Sequence, residues 1–194
     1  MGQTFAQKVI ARHAGLESVV VGQIVFVKPD LLLSHDNTAA IIGKISGELD
    51  RYGVFDPGRH VIVLDHVIPA ADEKTAINHA RIREYVKRFH IPHFYDVGQG
   101  VCHQIVMEKG HARPGLLILG SDSHTCTYGA ANAFAAGIDR TEAAALILTG
   151  ETWLKVPQTI KIDLSGRLPD NVTAKDLILR IIGDLGADGA GFRS

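Results

Sequence analysis

Leu116-Leu117-Ile118-Leu119 runs without interruption into Gly120-Ser121-Asp122-Ser123-His124. Four consecutive aliphatic residues leave no polar face, so a strand built from them is covered on both sides, as strands of parallel sheets are. The polar cluster begins where that strand must end. The same arrangement occurs twice upstream: residues 31–33 (Leu-Leu-Leu) lead towards His35-Asp36-Asn37, and residues 61–64 (Val-Ile-Val-Leu) into Asp65-His66. His103 follows the Gly98-Gln99-Gly100 loop after a short strand expected over 93–97. In open α/β sheets the ligand crevice lies outside the carboxyl ends of the strands, so these clusters are expected to converge there.

Around these strands the pattern alternates with amphipathic stretches. Helices are expected over 5–14, closed by Gly15, and from about Asp36, as cap, to Tyr52, with Gly53 as terminator. Further helices are expected over 73–90, capped by Asp72 and stopped before Pro92, and over 101–110. Two small-residue helices should follow at 129–137 and 140–150, and a last helix over 173–185, opened by a Thr173–Asp176 capping box. Further strands are expected at 23–28, ended by Pro29, and at 158–164, where apolar and polar residues alternate. Strand alternating with helix predicts an α/β fold, a three-layer αβα arrangement with a mainly parallel sheet, across 1–194. No internal repeat or low-complexity segment interrupts it.

Composition narrows the function. Hydrophobic residues make up 46% and charged residues 21%, and 20 basic against 21 acidic side chains leave a formal charge of -1. That balance supplies no electrostatic footprint for nucleic acid or an anionic membrane. No apolar run is long enough to span a bilayer. The two cysteines, Cys102 and Cys126, have no partner spacing, which argues against a disulfide framework and predicts a soluble cytoplasmic protein. The Gly98-Gln99-Gly100 loop lacks the third glycine of a dinucleotide fingerprint, and Ser123 lacks the flanking glycines of a nucleophile elbow.

Twice a carboxylate lies beside or near an imidazole, Asp65 with His66 and Asp122 with His124. A carboxylate bonded to one ring nitrogen fixes the tautomer and makes the other nitrogen a better proton carrier. Two other chemistries fit the same residues. His35, Asp36, Asp65, His66 and His124 are possible ligands of a metal-dependent hydrolase. A non-catalytic chain that binds a carboxylate ligand or a partner subunit is the other.

Six ordered motifs carry a family resemblance: 33–39 (Leu-Ser-His-Asp-Asn-Thr-Ala), 64–70 (Leu-Asp-His-Val-Ile-Pro-Ala), 98–104 (Gly-Gln-Gly-Val-Cys-His-Gln), 113–115 (Arg-Pro-Gly), 120–130 (Gly-Ser-Asp-Ser-His-Thr-Cys-Thr-Tyr-Gly-Ala) and 150–157 (Gly-Glu-Thr-Trp-Leu-Lys-Val-Pro). Together they resemble the aconitase superfamily, in its branch of 3-isopropylmalate dehydratase, homoaconitase and dimethylmalate dehydratase large subunits. The resemblance implies a hydro-lyase that removes water from a hydroxy acid and adds it back. It implies an aconitase-type first domain, incomplete here, as an amino-terminal fragment. It also implies a 4Fe–4S cluster in the complete enzyme, held by three cysteines.

By the same resemblance, Asp65 and His66 handle the departing hydroxyl, with His66 as general acid. His103 is a second active-site histidine, whose acidic partner is expected later in the family sequence, and Asp122 with His124 form a third pair. Ser123 is expected to bind a substrate carboxylate, and Asp36, Asn37 and Thr38 to add substrate contacts. Ala40 stands where the aconitases proper would have a substrate-contacting glutamine.

The family's cluster cysteines, a single one and a later Cys-x-x-Cys, lie beyond these residues. No cluster or other metal is therefore expected on this chain alone, and the isolated chain is expected to be inactive. The implied partners are a small swivelling-domain subunit and a hydroxy-acid substrate. Apolar surface normally covered by the rest of a large subunit should favour self-association. The ending Gly191-Phe192-Arg193-Ser194 after 186–190 (Gly-Ala-Asp-Gly-Ala) departs from the family pattern, as a truncation, an engineered end or a frameshift would.

Overall fold

The three aliphatic runs become parallel strands of one sheet because each offers apolar side chains to both faces. In the computed structural model, which describes residues 2–186, 189–191 and 193–194, strands β1 (Ile24–Val27), β2 (Leu31–Ser34), β3 (His60–Val63), β4 (His93–Tyr95), β5 (Leu117–Gly120), β6 (Phe134–Gly137) and β7 (Thr152–Lys155) alternate with helices. The helices are α1 (Phe5–His13), α2 (Thr38–Gly43), α3 (Ser46–Tyr52), α4 (Glu73–Phe89), α5 (Cys102–Glu108), α6 (Arg140–Thr149) and α7 (Ala174–Leu185). Five strands form a parallel sheet in the order β4-β3-β2-β5-β6. The chain winds outward from β2 through β3 to β4, then returns and winds the other way through β5 to β6. The reversal places a topological switch point between β2 and β5.

Period-two alternation sorts the strand side chains between two cores. Leu32, Ile62, Leu64, Leu117 and Leu119 face a large core shared with α1, α2, α4 and α6. Leu31, Leu33, Val61, Val63 and Ile118 face a smaller one closed by α5 and a 3-10 helix, Thr125–Ala131. The three-layer αβα arrangement expected from the sequence is present, with a thin third layer.

Several local expectations change. The helix expected from Asp36 to Tyr52 is broken into α2 and α3, although Ile41, Ile45 and Leu49 continue one buried stripe across the break. Gly43 and Gly47 weaken the helix at that point, glycine being about 1 kcal/mol poorer than alanine in a helix interior. Asn37, not Asp36, occupies the cap position. The small-residue helix expected over 129–137 is the 3-10 helix followed by β6. Phe134 and Ala136 pack on one core while Ala133 and Ala135 pack on the other, a strand's alternation that its helix-like composition conceals. Among the described residues, the strand expected over 158–164 pairs only through a bridge from Gln158 to Arg193, with backbone hydrogen bonds from Ser194 to Gln158 and from Ile160 to Ser194. Its alternating apolar residues find no neighbouring edge among the described residues.

An unanticipated antiparallel ribbon, β1 with β7, sets Phe26 opposite Trp153. Both of these side chains and Ile24 are exposed, as are Ile178, Leu179, Ile182 and Leu185 of α7, which buries no residue. Of the terminal residues named above, Ala187, Asp188 and Phe192 lie outside the described residues. Among the described residues no helix is long and apolar enough to cross a membrane.

At the amino-terminal edge of the sheet, His13 of α1 binds Asp30 just before β2. Its Nε2 lies 2.6 Å from Asp30 Oδ2, its Nδ1 donates to the Val9 carbonyl, and Asp30 Oδ2 also accepts the Leu117 N–H. The Asp30 hydrogen bond lifts His13 above its ordinary 6.5 against the opposing effect of burial. Burial pushes Asp30 up, but His13 and the Leu117 N–H hold it below 3.8. His13 therefore stabilises the fold fully below pH 6.5 and loses that contribution as pH rises through its raised folded value. Asp30 contributes above pH 3.8 and loses it as pH falls through its depressed folded value. The melting-temperature gap between wild type and His13→Gln should be widest between those limits and close at alkaline pH. A gap independent of pH would contradict this linkage.

Candidate active site

The switch point is stitched by side chains. Asn37, after β2, donates from Nδ2 to the Ser121 carbonyl after β5 (2.8 Å), and Ser121 Oγ donates back to Asn37 Oδ1 (3.0 Å). Thr38 is buried; its hydroxyl donates to the His35 carbonyl and lies 2.6 Å from Ser34 Oγ. Beneath them His60, pushed down to about 3 by burial, is a neutral ring 2.8 Å from Ser34 Oγ. Asn37 and Thr38, expected as substrate contacts, thus have their polar atoms engaged by protein partners.

Above this support the ionisable clusters meet. The His66 Nδ1 lies 2.7 Å from Asp65 Oδ1, and its Nε2 lies 3.3 Å from Asp122 Oδ2. With a carboxylate at each ring nitrogen, His66 is held above 6.5: burial pulls it down, but the hydrogen bond and charge of Asp65 and then the charge of Asp122 outweigh this. Its side chain remains 38% exposed, so the ring is reachable from the crevice. The other oxygen of Asp65 accepts the Cys102 N–H at the start of α5 (2.6 Å). The expected Asp65–His66 contact is therefore present in the geometry.

The other expected contact is rearranged. Asp122 Oδ1 accepts from His103 Nε2 at 2.8 Å, whereas the nearest nitrogen of the His124 ring is 3.4 Å away and makes no hydrogen bond to it. Asp122 instead accepts the His124 backbone N–H (2.7 Å), a local turn that swings the ring outward to 79% exposure. The partner of Asp122 is thus His103, nineteen residues away, rather than its near neighbour. Tyr128, fully buried and held protonated by burial, closes the other side of His103 at 2.9 Å from Nδ1. Ser123 stays exposed, its hydroxyl 3.3 Å from His124 Nδ1.

Of three further residues here, His35 was expected in its cluster and as a possible metal ligand, while Tyr128 and His79 were not singled out. His35 stacks on His66 with ring centroids 3.8 Å apart and planes at 21°. Its buried Nδ1 has no hydrogen-bond partner among the described residues, and burial together with the His66 charge pushes its pKa down. Tyr128 reads only as a core aromatic. His79 recurs with Ile82 and Tyr85 at three-residue spacing, which sets it on the buried stripe of α4; that was its one legible sign.

Two groups, His35-Asp36-Asp65-His66 and His103-Asp122-His124, have ligand atoms close enough together for a cation. The carboxylates of Asp36, Asp65 and Asp122 already accept protein donors, which a cation would have to displace. For an iron–sulfur cluster the donor set does not fit. Of the two cysteines, Cys126 is exposed, while Cys102 is buried and its thiol is pushed up by burial and then by Asp65, away from the thiolate a cluster needs.

This doubly wound parallel domain brings imidazoles and carboxylates face to face at its switch point, the place where such sheets characteristically bind small molecules. The chain belongs to the aconitase family: the sequence model of that family (aconitate hydratase) matches residues 7–191. It is 46% identical over 190 residues to "3-isopropylmalate dehydratase large subunit 1" of Methanopyrus kandleri, covering 98% of this chain and 45% of the relative. The 3-isopropylmalate dehydratase large subunit of Heliobacterium modesticaldum is 46% identical, covering 100% of this chain and 46% of the relative. That of Aquifex aeolicus is 45% identical, covering 100% and 45%. The chain thus spans less than half the length of these curated relatives.

Proposed function

We propose that this chain is the first α/β domain of a hydro-lyase large subunit acting on a hydroxy di- or tricarboxylic acid, with 3-isopropylmalate the leading candidate. The observation that carries this is His66, reachable from the crevice and flanked by a carboxylate at each ring nitrogen. In this reading His66 gives a proton to the departing substrate hydroxyl, which leaves as water. A base supplied by the small subunit takes the proton from the neighbouring carbon, and the C–H electron pair forms the double bond. In the reverse direction His66 takes a proton from the incoming water. Asp65 orients the ring, Asp122 with His103 maintains the local charge, and the exposed Ser123 hydroxyl meets a substrate carboxylate. The 4Fe–4S cluster of the complete enzyme is held by residues outside this chain, so the isolated domain should not turn over substrate. A small swivelling-domain subunit is the proposed partner and the reducing cytoplasm the proposed compartment. Any self-association would run through the exposed apolar residues of the ribbon and α7.

The test is a chimaera in which this chain replaces the matching residues of the Aquifex aeolicus large subunit, assayed with that enzyme's small subunit. Dehydration of 3-isopropylmalate is expected, and His66→Asn should lower it by about 10²–10⁴-fold, the usual contribution of a positioned acid. An active chimaera indifferent to His66→Asn would remove the proposed acid.

A further inference from the structure

Asp36 was expected to touch substrate, yet its side chain is only 9% exposed and both oxygens are occupied. Oδ2 accepts the N–H groups of His66 (2.9 Å) and Asp65 (3.1 Å). Oδ1 lies 2.6 Å from His79 Nε2 and also receives the Val67 N–H at 3.4 Å. A carboxylate at the end of β2 thus gathers consecutive backbone donors at the end of β3, while a histidine from the middle of α4 holds it. Burial raises the Asp36 carboxyl, but the His66 N–H, His79 and the Asp65 N–H together hold it below its ordinary value, so it remains an anion.

Packing alone does not account for His79. It is almost wholly buried on a stripe otherwise made of Ile82 and Tyr85, where an aliphatic residue would avoid burying a polar ring. Its nitrogen has one evident task, the Asp36 oxygen. We propose that Asp36 and His79 form a positioning pair that fixes the backbone at Asp65 and His66, and through it the aim of the His66 ring towards Asp65 and the crevice. The pair rests on the reading of His66 given above and acts through that residue without touching substrate. It couples three elements, β2, β3 and α4, at one carboxylate.

The test uses the intact chain and needs no substrate. In ¹H–¹⁵N NMR, the proton shared between His66 Nδ1 and Asp65 should give a far-downfield resonance, and the amides of Asp65 and His66 should exchange slowly. His79→Phe removes the donor but fills the site. It should abolish the downfield signal and speed exchange of those two amides by about tenfold or more, as loss of a hydrogen bond to a charged group implies. His79→Gln, which keeps a donor, should restore both. A folded His79→Phe protein with both signals unchanged overturns the proposal, and so does a folded His79→Gln protein without them. If His79→Phe does not fold, Asp36→Asn decides: loss of both signals supports the pair, and their retention overturns it. An inactive chimaera would count against the hydro-lyase reading alone, since these signals do not depend on turnover.

Discussion

Asp122→Asn is expected to lower turnover of the chimaeric large subunit by about 10²–10⁴-fold, as for other positioned acid–base groups, and to shift the alkaline limb of its rate–pH profile to lower pH. Asp122 is where the two imidazoles of the crevice meet: Oδ1 receives His103 at 2.8 Å, and Oδ2 lies 3.3 Å from His66. Burial raises its carboxyl, but the His124 N–H and then His103 hold it below 3.8. It is therefore anionic at neutral pH, and its contribution to stability is lost only as pH falls through that depressed folded value.

Asparagine keeps the shape and can still accept the His124 N–H, but it removes the charge that helps keep His66 protonated. The His66 pKa should then move down, so the proposed acid loses its proton at lower pH and the profile falls earlier. NMR titration of His66 in the isolated chain checks the first half of this chain of cause, and the chimaera's profile the second. An unshifted His66 would show that Asp65 alone sets its charge.

The parts of this molecule that were legible in the sequence share one physical cause. A strand buried on both faces carries few polar residues, and those must be paired as Ser34 and His60 are, so β2, β3 and β5 announced themselves as aliphatic runs. Their ends announced themselves as the first residues able to hold charge. The crevice followed because parallel strands place all such ends on one edge. Contacts across the fold were not legible in this way. His103 pairs with Asp122 across nineteen residues and His79 with Asp36 across forty-three, and nothing in either local sequence marks the partner.

The looser Asp122–His124 approach has a local reason as well. Asp122 spends one oxygen on the His124 N–H, the turn-forming habit of aspartate, and that same bond turns the His124 ring away. The strand β1 was expected, but β6, β7 and the pairing of β1 with β7 were hidden because a short edge strand of small or mixed residues has no composition of its own. Their existence depends on a neighbouring edge that only the folded chain supplies.

Gly120→Val should destabilise the chain by about 1–3 kcal/mol, or more where the neighbours cannot yield, the usual range for overpacking a filled core. Gly120 ends β5 directly beside Gly137 of β6, and both lie against the turn that carries Asp122, Ser123 and His124. A Cβ at Gly120 would run into the Thr125 hydroxyl and sit 2.9 Å from its Cγ2; one at Gly137 would sit 2.9 Å from the Asp122 carbonyl oxygen. Thr125 has little room to retreat. It is fully buried, and its hydroxyl donates to that same Asp122 carbonyl at 2.7 Å.

A side chain at 120 must therefore push the whole turn away from the sheet, carrying Asp122 out of reach of His103. Two effects should appear together: a lower denaturant midpoint with an unchanged slope, and loss of the His103–Asp122 contact by NMR. Gly129→Ala on the same 3-10 helix, where an added Cβ meets only open space, is the control and should stay within about 0.5 kcal/mol of wild type. If Gly120→Val loses stability while the His103–Asp122 contact survives, the glycine serves core packing alone, and the turn is held by the Asn37–Ser121 bonds instead.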